Sequence, residues 1–391
     1  MTRWLFPALV SLSAAALLTS CSRSSGDRLD VGGGIALTGN AGLLGQDART
    51  GLELAQQHYG NQTPKLNLVL EDTGSDEASA TLAFRRLISR NVVAILGPSL
   101  SQQGFAVMPM ADRAGIPVVG ISTTAPGIPQ IGPFVSRVAS PVTVIAPRSL
   151  AKALELNPRI QRVAVFFAQD DVFCSSESKI FQAAIRAKGL DLVSVQRTSV
   201  ADTDFNIAIN NTLRSRPDLI VVSALVADGG NLVRQLRELG YTGTIVSGNG
   251  MNTPNIYPVC QKHCDGVLIT QAYNPQLQSP SNKALVDLFR HGRPADAVPP
   301  QVTAQAFTAY QVVHEALAKL KAGLPAGTTL QSLPAKQLRS RLLDTLVAGT
   351  YQTPLGEIRF TPEGEVVQKQ FSVARVSMNP DGRSGRFVLL K

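Results

Sequence analysis

Two groups of hydroxyl side chains in the first third of the sequence have the chemistry of an anion-binding site. They are Ser101, after the apolar run 92–96, and Ser122, Thr123 and Thr124, after the apolar run 118–121. If both runs are buried parallel strands, these hydroxyls meet the free N–H groups of helix starts at one edge of a sheet. The pattern therefore predicts a site for a small carboxylate. The same side chains commonly cap helices and turns, and one helix start can serve both purposes.

No comparable pattern indicates catalysis. The run Val31-Gly32-Gly33-Gly34 begins like a dinucleotide-binding fingerprint, but Leu37 stands where the third glycine is required. None of the histidines adjoins a nucleophile motif. These histidines are His58, His263, His291 and His314. We therefore predict a binding protein that is not an enzyme and carries no cofactor.

The cysteines beyond residue 21 indicate an oxidising compartment. Cys260 and Cys264 are separated by Gln-Lys-His in a turn-rich stretch, which predicts a local disulfide. The alternative adds His263 as a zinc ligand, but three ligands so close together, with no second cluster, form a poor tetrahedral site. We therefore predict no metal. Cys174 is interpreted as a buried or cleft-edge thiol without chemistry.

Residues 1–20 have the features of an export signal. Arg3 is followed by an apolar run, 9–18, that is too short to cross a bilayer as a stable helix. The adjoining Leu18-Thr19-Ser20-Cys21 resembles the lipobox of bacterial lipoproteins, whose cysteine becomes acylated. The alternative is an ordinary signal peptide with a cysteine at this place by chance. Residues 21–28 form a polar tether, so we expect an exported protein held to a membrane by a lipid on Cys21.

The composition is that of a globular protein with more than one core. Hydrophobic residues make up 44% of the chain and charged residues 17%, with a formal charge of +9. The basic residues are scattered singly and are not interleaved with aromatic residues, so we predict no nucleic-acid binding. About 360 residues follow the tether, which exceeds what one hydrophobic core usually serves, and two lobes are expected.

Strand-like apolar runs alternate with helix-length segments along most of the chain. Two series of runs predict buried parallel strands, the first at 35–37, 66–70, 92–96 and 118–121, the second at 163–167, 192–195, 219–222 and 244–246. Amphipathic helical patterns lie between them. A strand at 267–269, two helical segments and a β-rich tail follow, and these cannot form a third complete sheet. The predicted fold class is α/β, with two doubly wound Rossmann-like lobes.

Short motifs along nearly all of this region resemble the type I periplasmic binding proteins, in the leucine/isoleucine/valine-binding branch. They are Leu37-Thr38-Gly39, Leu44-Gly45-Gln46-Asp47, Glu71-Asp72-Thr73-Gly74-Ser75-Asp76, Gly97-Pro98-Ser99-Leu100-Ser101, Ser122-Thr123-Thr124-Ala125-Pro126, Asp170-Asp171, Asp204-Phe205, Pro217-Asp218 and Gly248-Asn249-Gly250. The resemblance implies two discontinuous lobes joined by three crossovers. Lobe one would comprise 29–143 plus 274–347, and lobe two 144–273 plus 348–391. The crossovers near 140–144, 271–275 and 348–351 are the candidate hinges.

The resemblance also implies site residues. Positions matching Ser101, Thr123 and Thr124 hold the carboxylate and amino group of an amino-acid ligand in that family. Ser122 lies in the same loop. Phe173 matches a tyrosine that closes over the ligand, and Asn249 matches the acid that pairs with the ligand ammonium. Both departures remove polarity or charge, so either Asp228 replaces the missing acid or the ligand lacks an ammonium. Asp228 is equally an N-cap for the helix that follows it.

The function implied by the resemblance is solute capture for an ABC-type importer. The ligand would be a small polar solute, of the branched-chain amino-acid type or a related amide or carboxylate, enclosed by hinge closure. The expected partner is a permease in the inner membrane, and the protein is expected to act as a monomer on the periplasmic or envelope face. The alternative is a sensory binding protein of the same fold that acts on a receptor.

Overall fold

The first sheet has a strand order that creates a crevice at its carboxyl edge. The computed structural model of the protein describes residues 28–390. Five parallel strands form this sheet: β1 (Arg28–Ile35), β2 (Lys65–Asp72), β3 (Ile95–Leu96), β4 (Val118–Gly120) and β5 (Val135–Arg137). Their order is β2-β1-β3-β4-β5. In a doubly wound sheet of this order the loops after β1 and β3 lead away from each other, and ligands bind in the space between them.

Three helices connect these strands, and their starts follow from local sequence. They are α1 (Gly42–Tyr59), α2 (Glu77–Ser89) and α3 (Ser101–Arg113). Asp76 caps the start of α2: its carboxylate accepts a hydrogen bond from the Ser79 N–H at 2.8 Å. Apolar side chains of α2 and α3 bury against the sheet, whereas α1 covers the opposite side. The sheet therefore has the helices on both faces that an α/β fold requires.

Strand β1 is longer than the sequence predicted. It begins at Arg28, whereas the apolar pattern indicated a strand only at 35–37. The difference arises at Gly32-Gly33-Gly34, which show no side-chain alternation and yet pair with β2 and β3. A Cβ on Gly34 would lie 2.7 Å from the ring of Phe84 in α2. These glycines therefore allow a helix to approach the strand closely, which is a packing role.

The second sheet repeats the order of the first. Its parallel strands are β6 (Arg162–Ala168), β7 (Asp191–Thr198), β8 (Leu219–Ser223), β9 (Thr244–Ser247) and β10 (Leu268–Gln271), arranged β7-β6-β8-β9-β10. The helices of this part are α4 (Val142–Leu156), α5 (Val172–Ala187), α6 (Asn206–Leu213), α7 (Val226–Glu238) and the short α8 (Tyr257–Cys260). The predicted α/β fold class with two doubly wound lobes is confirmed.

The C-terminal part of the chain is shared between the lobes. Helices α9 (Pro280–Arg290), α10 (Gln301–Ala322) and α11 (Ala335–Val347) pack with the first core. A separate antiparallel sheet of three strands follows, β11 (Thr350–Thr353), β12 (Gly356–Phe360) and β13 (Val366–Gln368), and it also joins the first core. The last strands, β14 (Ser372–Met378) and β15 (Gly385–Leu390), extend the second sheet next to β10. Part of the β-rich tail thus forms a small separate sheet, and the rest extends the second sheet.

The chain passes between the lobes at 138–141, 272–279 and 369–371. The third passage differs from the one at 348–351 that the sequence indicated, because β11–β13 pack on the first lobe before the chain leaves it. One side chain connects all three passages. The Gln368 amide oxygen accepts a hydrogen bond from the Ser140 hydroxyl at 2.9 Å, and its nitrogen donates to the carbonyls of Ala272 at 2.6 Å and Gln370 at 3.1 Å. The exact lobe boundaries stay a prediction.

The structure bears on the predictions for the cysteines beyond residue 21 but not on those for the N-terminus. Cys260 and Cys264 form a disulfide with a Cα–Cα distance of 5.4 Å, and the Cys174 thiol is buried. Residues 28–390 hold no grouping of acidic, histidine and cysteine side chains suited to a metal ion. Within the same residues, no helix is long and apolar enough to span a membrane. The predicted signal peptide and lipid attachment at Cys21 lie outside the described residues.

Candidate ligand-binding cleft

A small cavity lies between the two lobes, where the loops after strands of both sheets meet. Its volume is about 30 Å³. Residues of the first lobe that line it are Leu44, Ser99, Leu100, Ser101, Ser122, Thr124 and Val302, and those of the second are Phe173, Leu225, Asn249 and Gly250. A volume of this size holds about two water molecules. The lobes therefore face each other in a nearly closed arrangement.

The first wall of the cavity consists of two loops that are bonded to each other. The Ser122 hydroxyl donates to the carbonyl oxygen of Ser99, and the Ser101 hydroxyl accepts from the Ala125 N–H at 3.2 Å. Neither serine is therefore used as a helix cap. The first N–H groups of α3 have no acceptor within the helix and carry its partial positive charge. This wall has the donors that a carboxylate requires.

Thr124 is the hydroxyl best placed for a ligand. Its Oγ1 is buried and has no hydrogen-bond partner among the described residues. Burying an unpaired hydroxyl costs about 1–3 kcal/mol, so the position favours a polar group in the cavity. Thr123 differs, because its side chain faces away: a Cβ on Gly120 would lie 2.3 Å from the Thr123 hydroxyl. Of the loop residues predicted from the sequence, Ser101, Ser122 and Thr124 line the cavity and Thr123 does not.

An arginine that the sequence analysis missed supports this loop from behind. The Arg137 side chain is only 1% exposed, and it donates to the carbonyl oxygens of Thr123 at 2.8 Å and Ala125 at 2.7 Å. Its other nitrogens bind both carboxylate oxygens of Glu365, in the turn before β13. A buried charge needs such pairing to be tolerated. Arg137 therefore fixes the backbone from which Thr124 projects.

The second wall of the cavity is mainly apolar. Phe173 lies in the first turn of α5 and packs with Cys174 and Leu225. Asp171 caps this helix by accepting from the Cys174 N–H at 2.7 Å, and burial raises the pKa of its carboxyl group. Asn249 and Gly250 follow β9 and complete the wall. Phe173 and Asn249 thus line the cavity, and their roles toward a ligand stay predictions.

A buried glutamate, Glu177, holds Asn249 in position. Its two carboxylate oxygens accept hydrogen bonds from the Asn249 N–H at 2.8 Å and the Ser223 hydroxyl at 2.6 Å. Burial raises the pKa of Glu177 to about 7. Sequence reasoning missed this residue, although an acid one turn after Phe173 on a face with Ser178 and Phe181 breaks the apolar pattern of α5.

Asp228 lies apart from the cavity lining. One of its oxygens accepts from the Leu225 N–H at 3.0 Å, at the start of α7, and the other has no partner among the described residues. Burial raises the pKa of Asp228 to about 7. Asp228 is therefore the third residue of α7 and caps its start from within the helix, whereas the sequence-based alternative made it the N-cap, which is Leu225. Its role toward a ligand stays a prediction.

The comparison with known proteins agrees with this two-lobed cleft. A family profile described as "Periplasmic binding protein" matches residues 29–383, which is most of the chain. The chain belongs to the periplasmic binding protein family. The prediction of a solute-binding protein of this family, made from the sequence, is confirmed.

Several relatives of this periplasmic binding protein are named for what they bind. The Leu/Ile/Val-binding protein BraC3 of Rhizobium johnstonii is 23% identical over 343 residues, which cover 86% of this chain and 88% of the relative. The structure of the leucine-binding protein LivK of Thermotoga maritima has a TM-score of 0.80 at 23% identity, covering 93% of this chain and 99% of LivK. A solute-binding protein of R. palustris in complex with 4-hydroxybenzoate has a TM-score of 0.79 at 19% identity, covering 93% and 97%.

Several polar contacts join the lobes of this periplasmic binding protein beside the cavity. Gln301, at the start of α10 in the first lobe, donates to the Asn249 amide oxygen at 3.0 Å. Asp47, in α1, accepts from the Thr253 hydroxyl at 2.8 Å and the Asn255 amide at 3.2 Å. Burial raises the pKa of Asp47 to about 6. Neither Gln301 nor the Asp47 contact was predicted, because the partners are far apart in sequence.

Proposed function

We propose that this protein is the solute-binding component of an ABC importer and that it captures a small carboxylate between its lobes. The observation that carries the proposal is the first wall of the cavity. There the unpaired Thr124 hydroxyl, the Ser101 side chain and the N-terminus of α3 converge in one interlobe space. Helix starts with hydroxyl side chains are well suited to anions.

The ligands named for related proteins support a carboxylate. The Rhizobium johnstonii relative is named for leucine, isoleucine and valine, and the R. palustris protein was crystallised with 4-hydroxybenzoate. Amino acids and benzoates differ in shape and in their amino group, and they share a carboxylate. For this chain we propose an amino acid or a related carboxylate whose remaining part is apolar enough to lie beside Phe173 and Leu225.

Capture requires the lobes to separate and close again. A cavity of about 30 Å³ admits no amino acid, so the ligand reaches the first wall when the cleft is open. Closure then forms the Gln301–Asn249 and Asp47–Thr253 contacts across the cleft. Ligand binding thus shifts the population from the open to the closed form. The closed form presents both lobes together to a permease.

The cellular setting of the proposal follows from the N-terminus. We propose that residues 1–20 direct export, that Cys21 carries a lipid, and that the monomeric protein delivers its ligand to a permease in the inner membrane. The Cys260–Cys264 disulfide supports an oxidising compartment.

The test is calorimetric titration of the purified protein with small carboxylates and with their uncharged amides. Thr124→Ala is expected to weaken carboxylate binding roughly 10- to 100-fold, because a hydrogen bond to a charged group is lost. Thr81→Ala removes a hydroxyl of α2 that donates to the Glu77 carbonyl, away from the cleft, and serves as the matched control. Binding of the amides as tightly as the carboxylates would contradict the proposal.

A further inference from the structure

The orientation of one side-chain amide at the cleft is fixed by a backbone group. The Ala272 N–H lies 2.6 Å from the terminal amide of Gln301, which is only 3% exposed. A peptide N–H can only donate, so the Gln301 atom facing it is the oxygen. An amide reversed at this position would set two donors against each other in a buried site. The Gln301 nitrogen must therefore point the other way.

A second residue gives the same orientation independently. The Asn252 amide lies 2.9 Å from the same Gln301 oxygen and 3.0 Å from the carbonyl oxygen of Thr270. Because a carbonyl only accepts, the Asn252 atom between them is the nitrogen. Its oxygen accepts in turn from the Gln271 amide at 2.7 Å. The whole group of amides thus has one consistent arrangement.

The arrangement determines what Asn249 offers to a ligand. The Gln301 nitrogen donates to the Asn249 side chain at 3.0 Å, so the atom that accepts is the Asn249 oxygen. Glu177 holds the Asn249 backbone N–H at 2.8 Å. The remaining Asn249 group is an –NH₂ with no partner among the described residues, in a side chain that lines the cavity. The second lobe therefore presents a hydrogen-bond donor.

A donor at this place disfavours a ligand ammonium, which has donors only. The cavity lining contains no aspartate or glutamate among the described residues. Two carbonyl oxygens of the loops nearby each already accept a hydrogen bond, that of Ser99 from Ser122 and that of Thr123 from Arg137. Asp228 uses one oxygen at the start of its own helix, and it lies outside the lining. An ammonium in the closed cleft would meet a donor and no carboxylate.

We propose that Gln301 is a specificity-determining residue and that the ligand is a carboxylate with a hydrogen-bond acceptor, such as an oxo or hydroxyl oxygen, where an amino acid has its ammonium. The proposal rests on the proposed function, since it assumes that a carboxylate binds to the first wall. Gln301 acts through Asn249: it occupies the amide oxygen and leaves the –NH₂ for the ligand.

The experiment compares pairs of ligands that differ only at this position. The pairs are leucine with 4-methyl-2-oxopentanoate and phenylalanine with phenylpyruvate, each titrated calorimetrically into the purified protein. The oxo acid is expected to bind at least roughly tenfold more tightly than its amino acid, because one charge-assisted hydrogen bond is at stake. The variants described next are also tested by thermal unfolding, which shows whether each is folded.

Three variants test how Asn249 and Gln301 set the preference. Asn249→Asp restores an acid in the cavity and is expected to reverse the preference toward the amino acid. Gln301→Glu leaves Asn249 in place but offers it an acceptor, so the Asn249 amide turns and presents its oxygen to the ligand. The preference for the oxo acid is then expected to shrink at least roughly tenfold. Gln301→Met, which neither donates nor accepts strongly, is expected to lie between the parent and Gln301→Glu.

The outcomes separate the two proposals. If no member of any pair binds, the proposed carboxylate function is overturned. If both members bind equally, or the amino acid binds more tightly to the parent protein, the role of Gln301 is overturned and the carboxylate function stands. If folded Gln301→Glu keeps the parent's preference for the oxo acid, the role of Gln301 is also overturned.

Discussion

Arg137 and Glu365 form an ion pair in which two guanidinium nitrogens meet two carboxylate oxygens, at 2.7 and 2.5 Å. The residues are 228 positions apart in sequence. The same guanidinium holds the backbone of Thr123 and Ala125, so the last part of the first lobe stabilises the loop that carries Thr124.

The ion pair predicts a large effect of Glu365→Ala. Removing the acid leaves the fully buried Arg137 with a reduced set of partners, and breaking such a pair costs about 3–5 kcal/mol of unfolding free energy. Because Glu365 is itself 24% exposed, we expect the lower part of that range. Glu53→Ala, which breaks the half-exposed Arg49–Glu53 pair in α1, is the control and is expected to cost less than ~0.5 kcal/mol. Equal costs in urea titrations of the two variants would refute the supporting role of Arg137.

The raised pKa of Asp228 leads us to expect that the free energy of unfolding depends on pH. Its pKa is raised from 3.8 to about 7, so between these values the folded protein holds a proton that the unfolded chain has released. Stability therefore falls as pH rises through this window, by at most ~1.4 kcal/mol per pH unit for one group. Asp228→Asn is expected to raise the thermal unfolding midpoint relative to the parent more at pH 8 than at pH 5.

The exposed Asp381 provides the control for this measurement. Hydrogen bonds from Ser384 lower the pKa of Asp381 to about 2, so this group is ionised at both pH values. Asp381→Asn should therefore shift the unfolding midpoint equally at pH 5 and pH 8. If Asp228→Asn behaves in the same way, Asp228 is not the titrating group.

The affinity of Asp228→Asn is a separate prediction. Because Asp228 binds the start of its own helix and lies outside the cavity lining, we expect the variant to bind every carboxylate within about twofold of the parent. A selective loss of amino-acid binding in calorimetric titration would instead support the sequence-based hypothesis that Asp228 replaces the acid absent at position 249.

The contact between Asp47 and Thr253 predicts a contribution to closure. Thr253→Val removes the hydrogen bond to Asp47 at 2.8 Å and is expected to weaken ligand binding about fivefold. Asp47→Ala removes this bond together with the one from Asn255 at 3.2 Å, so a larger loss is expected. Since the two residues share one interaction, the double variant should lose less than the product of the single effects. Multiplicative effects in calorimetric titration would show that the residues act independently.

The sequence was sufficient to predict the two-lobed architecture and the loops that form the first wall of the cavity. Apolar runs of strand length located both sheets, and the loops after β3 and β4 follow from where parallel strands end. Asn249 and Phe173 were found through resemblance. The two-lobed fold was predictable because alternating strands and helices leave few topologies.

Other features depend on residues that are distant in sequence. Arg137 and Glu177 are buried ionisable side chains with such partners; Glu177 interrupts the apolar face of α5, but nothing in the sequence around either residue indicates its partner. Gln301 is the first residue of a helix 52 positions after Asn249, and its role depends on the orientation of an amide. The position of the third passage between the lobes was missed because β11–β13 are short and could have joined either core.

Because of Gln368, the two lobes are not expected to be stable when they are expressed as separate fragments. Its single amide bonds to residues in each of the three chain passages, so displacing one passage disturbs the other two. If one lobe were expressed alone or joined to a lobe of a relative, the Gln368 amide would lose hydrogen-bond partners. Its former partners in the other passages would be left unpaired as well. A biosensor built from this chain would therefore do better with a reporter inserted at an outer loop, where the shared amide stays intact.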